Sequence, residues 1–279
     1  MDTPKFSPAT NFQGAGSTTD STYTNFGLTV YKNYDTALGR NMYLSEHIGT
    51  MVEMGNGAHY YARGPYVATY AKAQVTIDLT KVKAVTKNRR VACLSLCVVG
   101  AKGSCDMGIE TEDGTNWFGM SYSGVLTKDG DYKTGSYASP KSVTIIITPT
   151  RENGKDYVTG TFVFTKSDGT TETTSLRRCG TAGALFVLSG TAPLVRFGRF
   201  MSLILLNEIN KTTATDTADA SSLTGGNFTS PKLYKANGTS VVWNKALMDY
   251  IWSVQGWNIS ILSVDATDSF SCAHSHYVY

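Results

Sequence analysis

Glu110 and Glu112, followed directly by Asp113, come nearest in type and spacing to residues that do chemistry. On a strand, alternate side chains share a face, so the two glutamates would sit roughly 7 Å apart. A carboxyl pair near that distance can divide the work of glycan hydrolysis, one as nucleophile or base and the other as acid. The run Gly108-Ile-Glu-Thr-Glu-Asp-Gly114, however, carries its acids straight into an Asp-Gly turn. That pattern predicts a solvated hairpin end, and no catalytic residue is assigned.

The aromatic residues are the stronger candidates for binding. Tyr60, Tyr61 and Tyr66 lie in a stretch with two glycines and a proline, and Trp117, Phe118 and Tyr122 follow the Asp113-Gly114 turn. Flat aromatic faces beside Asn116 and Asp113 suit sugar rings, whose C–H faces stack while their hydroxyls find acceptors. Tyr and Trp serve protein interfaces equally well, and capping the core is the plain alternative. The candidate carbohydrate- or partner-binding set is therefore Tyr60, Tyr61, Tyr66, Trp117, Tyr122, Asn116 and Asp113.

Other chemistries lack their residues. His274 and His276 could supply two metal ligands from one strand face, but neither they nor His47 and His59 have an acidic or Cys partner at matching spacing. No metal and no cofactor is expected. Five cysteines (Cys93, Cys97, Cys105, Cys179 and Cys272) without a CxxC pair fit buried free thiols. No P-loop, dinucleotide fingerprint or Gly-x-Ser-x-Gly elbow occurs. A net charge of +3, with Lys87-Asn88-Arg89-Arg90 as the largest basic cluster, gives no footing for nucleic acid. No run of 18 apolar residues suggests a membrane span. Met1-Asp2-Thr3-Pro4-Lys5 opens no apolar run, so no signal peptide is expected and the chain is either cytoplasmic or already processed; the free thiols fit synthesis in a reducing cytoplasm. Sequons at Asn210, Asn227, Asn237 and Asn258 fit chance in a Ser/Thr-rich chain.

The elements that must position these residues read as strands. From about 66 to 208, apolar and β-branched runs of strand length alternate with Asp113-Gly114, Asp129-Gly130, Asn153-Gly154 and Asp168-Gly169. Such pairs supply the positive φ angles of tight hairpins. About nine strands so joined predict a mainly β protein, an antiparallel sandwich or jelly roll. Val91 to Val99 is nearly all apolar, as expected of a strand buried on both faces. Residues 1–26 read as an extended polar arm, 27–208 as the sandwich with its core at 66–208, and 209–279 as a linker plus a small C-terminal α+β segment. In that last segment Trp243, Leu247, Tyr250, Ile251 and Val254 recur at helical spacing, which predicts a helix over 241–254 and a strand after it.

The stretch 74–206 resembles the concanavalin A-like lectin/glucanase jelly rolls, the group that includes laminin-G-like modules. The residues that carry it are Ala73-Gln-Val-Thr-Ile-Asp-Leu79, Asp106 to Gly119, Val158-Thr-Gly-Thr-Phe-Val-Phe164 and Val195 to Leu205. The resemblance implies carbohydrate binding, adhesion or assembly, and a polar N-terminal arm resembles those of tailed-phage head fibres, decoration proteins and tail adhesins. The expectation is a non-catalytic virion or surface-assembly protein, a homo-oligomer with other virion proteins and surface glycans as partners. Its place is the virion or an extracellular surface. A stand-alone lectin and a glycan hydrolase using Glu110 and Glu112 are the alternatives.

Overall fold

The structure is a computed structural model that describes residues 18–19, 29–35, 40–46, 57–64, 66–87, 90–205, 221–244, 247, 250–254, 258–264 and 267–273. Its strands, numbered β1–β22 along the chain, form two ten-stranded sheets and a short hairpin. Across the first sheet run β1 (Thr18–Thr19), β2 (Thr29–Asp35), β3 (Arg40–Glu46), β20 (Tyr250–Val254), β4 (Gly57–Arg63), β17 (Arg196–Leu205), β7 (Arg90–Gly100), β8 (Gly103–Thr111), β9 (Asn116–Ser123) and β11 (Lys133–Ala138). Across the second run β10 (Thr127–Lys128), β14 (Thr171–Thr181), β13 (Lys155–Thr165), β12 (Ser142–Glu152), β5 (Tyr70–Asp78), β18 (Ser222–Lys235), β22 (Thr267–Ala273) and β21 (Asn258–Val264). The short β6 (Lys83–Val85) and β19 (Ser240–Val242) also pair with β18, while β15 (Val187–Ser189) and β16 (Ala192–Leu194) form the hairpin. All pairings are antiparallel except β20 with β3.

Alternation builds the core. β5, β12 and β13 turn Val75, Ile77, Val143, Ile145, Ile147, Phe162 and Phe164 inward, against Leu94, Leu96, Met107, Ile109 and Leu203 of the first sheet. Truncating one such ring, Phe162 to Ala, would cost about 3–5 kcal/mol. β7 is buried on both faces from Val91 to Val98, as its apolar run predicts. Asn153 and Gly154 have φ of 49° and 70° and join β12 to β13 as a two-residue hairpin with eleven ladder pairs.

Two expectations change. The helix over 241–254 is not seen among the described residues, which hold β19, β20 and a 3₁₀ position at Leu247. Tyr250, Trp252 and Val254 also alternate at the period of a strand, and pairing with β3 and β4 selects that period over the helical one. The 209–279 segment is also no appendage, since β18 lies between β5 and β22 inside the second sheet. Trp243 is fully buried, with the Arg199 guanidinium 4.7 Å from its ring centroid and Arg199 Nη1 donating to its carbonyl at 3.2 Å. Of the N-terminal arm only Thr18–Thr19 is described, paired with β2.

Candidate active site

β7 and β8 carry two different chemistries on the two faces of one backbone. Inward go Leu94, Leu96, Val98, Cys105, Met107 and Ile109. Alternation therefore sends Cys93, Ser95, Cys97, Asp106, Gly108 and Glu110 to the other side of the sheet. The register sets Cys93 opposite Glu110, Ser95 opposite Gly108 and Cys97 opposite Asp106. β9 extends these rows with Phe118, Met120 and Tyr122, and β11 adds Lys133 opposite Met120. On the far side Ser202 of β17 stands opposite Cys93.

Gly108 is fixed by close approach. A Cβ there would lie 2.3 Å from the Ser95 Cβ, so the Ser95 side chain occupies the notch between the two acids. Ser95 is fully buried, and among the described residues its hydroxyl has no hydrogen-bond partner.

Glu110 sits in a tight polar knot. Lys133 Nζ lies 2.9 Å from Glu110 Oε1 and 2.9 Å from Glu112 Oε1, with the Phe118 ring centroid 4.1 Å away. The Cys93 thiol points at the other oxygen, Oε2, from 3.8 Å. Burial raises the Glu110 carboxyl above the ordinary glutamate range, and the Lys133 ammonium opposes that rise. Burial disfavours the charge on Lys133 too, yet its carboxylate partners hold it above the usual lysine value. Cys93 is driven well above the normal thiol range, first by burial and then by Glu110, so it stays protonated.

Asp106 differs from Glu110. Among the described residues its carboxyl meets no hydrogen-bond donor and no cation, and burial pushes it up to about 7. Its cross-strand neighbour Tyr122 is 57% exposed.

The residues singled out from sequence separate. Tyr122 joins this outward face. Trp117 is 3% exposed and faces the core. Asp113 and Asn116 lock their own turn: Asp113 accepts from the Thr115 and Asn116 amides at 2.8 and 2.7 Å and from Asn116 Nδ2 at 2.6 Å. Those bonds, led by Asn116, hold its carboxyl down at about 2. Tyr66 is half-buried, with Arg196 5.8 Å from its ring centroid. Tyr60 and Tyr61 pair with Met201 and Phe200 on β4, and their side chains lie outside the described residues, as do those of His59 and Cys272. His47, His274 and His276 lie outside them entirely. The described residues contain no group of three or more His, Cys, Asp or Glu able to hold a metal. Of the groups gathered on this face, residue type and spacing single out Glu110, but not Asp106, Ser95 or Lys133. The alternation in Asp106-Met-Gly-Ile-Glu110, set beside that in Cys93-Leu-Ser-Leu-Cys97, is the signal that puts these polar groups on one face.

No family model matches the chain, and no curated protein is similar to it in sequence. Solved structures show a likeness. SCP-B, a member of the eqolisin family of peptidases in complex with the tripeptide Ala-Ile-His, is 10% identical over 79% of this chain and 100% of its own, with a TM-score of 0.45. Scytalido-glutamic peptidase with a transition-state analogue inhibitor is 11% identical over 79% of this chain and 98% of its own, with a TM-score of 0.43. The likeness is one of jelly-roll-like sandwich architecture. The expectation of a non-catalytic lectin or virion protein is corrected by these neighbours, both of which are peptidases.

Proposed function

We propose that the chain is a hydrolase of amide or ester bonds whose acid–base group is Glu110. The observation that carries this is the half-tethered state of a desolvated carboxyl. Oε1 is held by Lys133, while among the described residues Oε2 faces a thiol at 3.8 Å, too long for a strong hydrogen bond. A general base needs this combination: a fixed orientation, a raised proton affinity and one oxygen left for water.

The step balances without a further reagent. Ionised Glu110 takes a proton from water at Oε2 as the water oxygen bonds to the substrate carbonyl carbon. The protonated carboxyl then returns that proton to the leaving nitrogen or oxygen as its bond to carbon breaks. Lys133 favours the ionised form of Glu110 and aims it, and the partly buried Phe118 ring restricts the water around both.

The test is a set of chromogenic esters and fluorogenic peptides assayed from pH 3 to 9 with the wild-type chain and Glu110→Gln. The variant is near-isosteric and cannot accept the proton, so kcat should fall roughly 10²- to 10⁴-fold. Hydrolysis that persists at the wild-type rate in Glu110→Gln refutes the assignment.

A further inference from the structure

The geometry points to a second site on the same face, an organic-cation site formed by Asp106, Tyr122 and Ser95, which receives an ammonium or guanidinium side chain. Three observations converge on that chemistry. Asp106 carries a carboxyl that no described cation or donor satisfies. A carboxyl left so on a partly covered face is completed by a positively charged group that donates hydrogen bonds.

The second observation is independent of the acids. Ser95 is fully buried, its Oγ has no partner among the described residues, and its Cβ fills the notch at Gly108, diagonal to Asp106. A buried hydroxyl with free acceptor capacity is costly unless a donor reaches it, and an ammonium or guanidinium supplies one. The third is Tyr122, directly across the ladder from Asp106 and 57% exposed. An aromatic face beside a carboxylate recognises an organic cation in two ways, by ring attraction and by contact with its apolar stem. A small metal ion would leave Tyr122 without a role, since hard cations take several oxygen ligands.

The existence of this site rests on its own geometry; only its role as a substrate subsite rests on the hydrolase reading. Asp106 and Glu110 are four residues apart on β8, so their Cα atoms lie roughly 13 Å apart along the strand. An extended peptide lying over this face along β8 would then present a Lys or Arg a few residues from the bond cleaved at Glu110.

The experiment titrates 15N-labelled protein with Nα-acetyl-arginine amide and, separately, with its neutral citrulline counterpart. Arginine amide should shift the Gly108 and Tyr122 amide resonances saturably, and citrulline should not. Asp106→Asn should weaken binding by roughly 10-fold or more. Tyr122→Ala, at an exposed position that tolerates truncation, should weaken it roughly two- to fivefold. Equal binding of the two probes, no saturable shift, or full binding by Asp106→Asn overturns the proposal. Because this titration needs no turnover, arginine binding without hydrolysis keeps the cation site and sinks the hydrolase. Hydrolysis that shows no preference for Arg over citrulline peptides keeps the hydrolase and overturns the role of this site as a substrate subsite.

Discussion

Replacing Lys133 by Met keeps an apolar stem over the Phe118 ring and removes only the ammonium, so it isolates the charge that acts on Glu110. The two carboxylates on Lys133 are unequally placed: the Glu112 side chain is 56% exposed and that of Glu110 9% exposed. Loss of the ammonium should therefore be felt mainly at Glu110. The ammonium 2.9 Å from this buried carboxyl favours its ionised form, and that support disappears in the variant. The sign follows from linkage. Glu110 already titrates above its unfolded value, and Lys133→Met raises it further, so the folded variant holds a proton that the unfolded chain has released. Well below the unfolded carboxyl pKa, wild type and variant should differ only by packing. As pH rises toward 7 the variant should lose about 1–4 kcal/mol relative to wild type. Urea unfolding at pH 4 and pH 7 measures this difference, and 13C-carboxyl NMR follows the Glu110 titration directly. A stability difference that is the same at both pH values refutes the electrostatic reasoning and leaves Lys133 a packing residue.

Glu112→Gln should act in the opposite sense, lowering the Glu110 titration point because the Glu112 charge raises it; the same carboxyl NMR reads the shift. Asp106 is raised from its unfolded value to about 7, so its contribution is full below about pH 4 and is lost as pH rises through 7. Asp106→Asn should flatten that slope by no more than about 4 kcal/mol, checked by thermal or urea unfolding across pH 4–8. Asp156 is fully buried, lies 2.6 Å from Arg151 Nε and accepts from the Gly183 and Leu185 amides at 3.1 Å each. Its replacement by Ala should cost about 3–5 kcal/mol in urea unfolding, because it strands a partly buried guanidinium and frees the 183–186 loop. Gly154→Ala, at φ +70° with open space around the added Cβ, should cost about 1–2 kcal/mol through backbone strain alone.

How much of the fold is legible in the sequence follows from the range of the forces involved. Strands and hairpins are local: Asn153-Gly154 specifies its turn by its own φ preferences, and the period of two in β5, β12 and β13 fixes which face is buried. Where two periods fit the same residues, as over 241–254, only the partner strand decides, and that partner, β3 or β4, lies some two hundred residues away in the chain. The candidate site has the same non-local origin. By type and spacing Asp113 is as promising as Glu110, yet one is exposed and bound to its own turn while the other is 7% exposed. The difference lies in the rows they occupy: Glu110 stands between Cys93 and Phe118, well inside the sheet, whereas Asp113 falls past the end of β8. Desolvation is set by neighbouring strands, so a carboxyl acquires its proton affinity from residues that its own segment does not contain. Asp106 is inconspicuous in the sequence for that reason. Its type and spacing are ordinary, and only the pairing of β8 with β7 and β9 places it between Cys97 and Tyr122, where burial lifts its carboxyl to about 7.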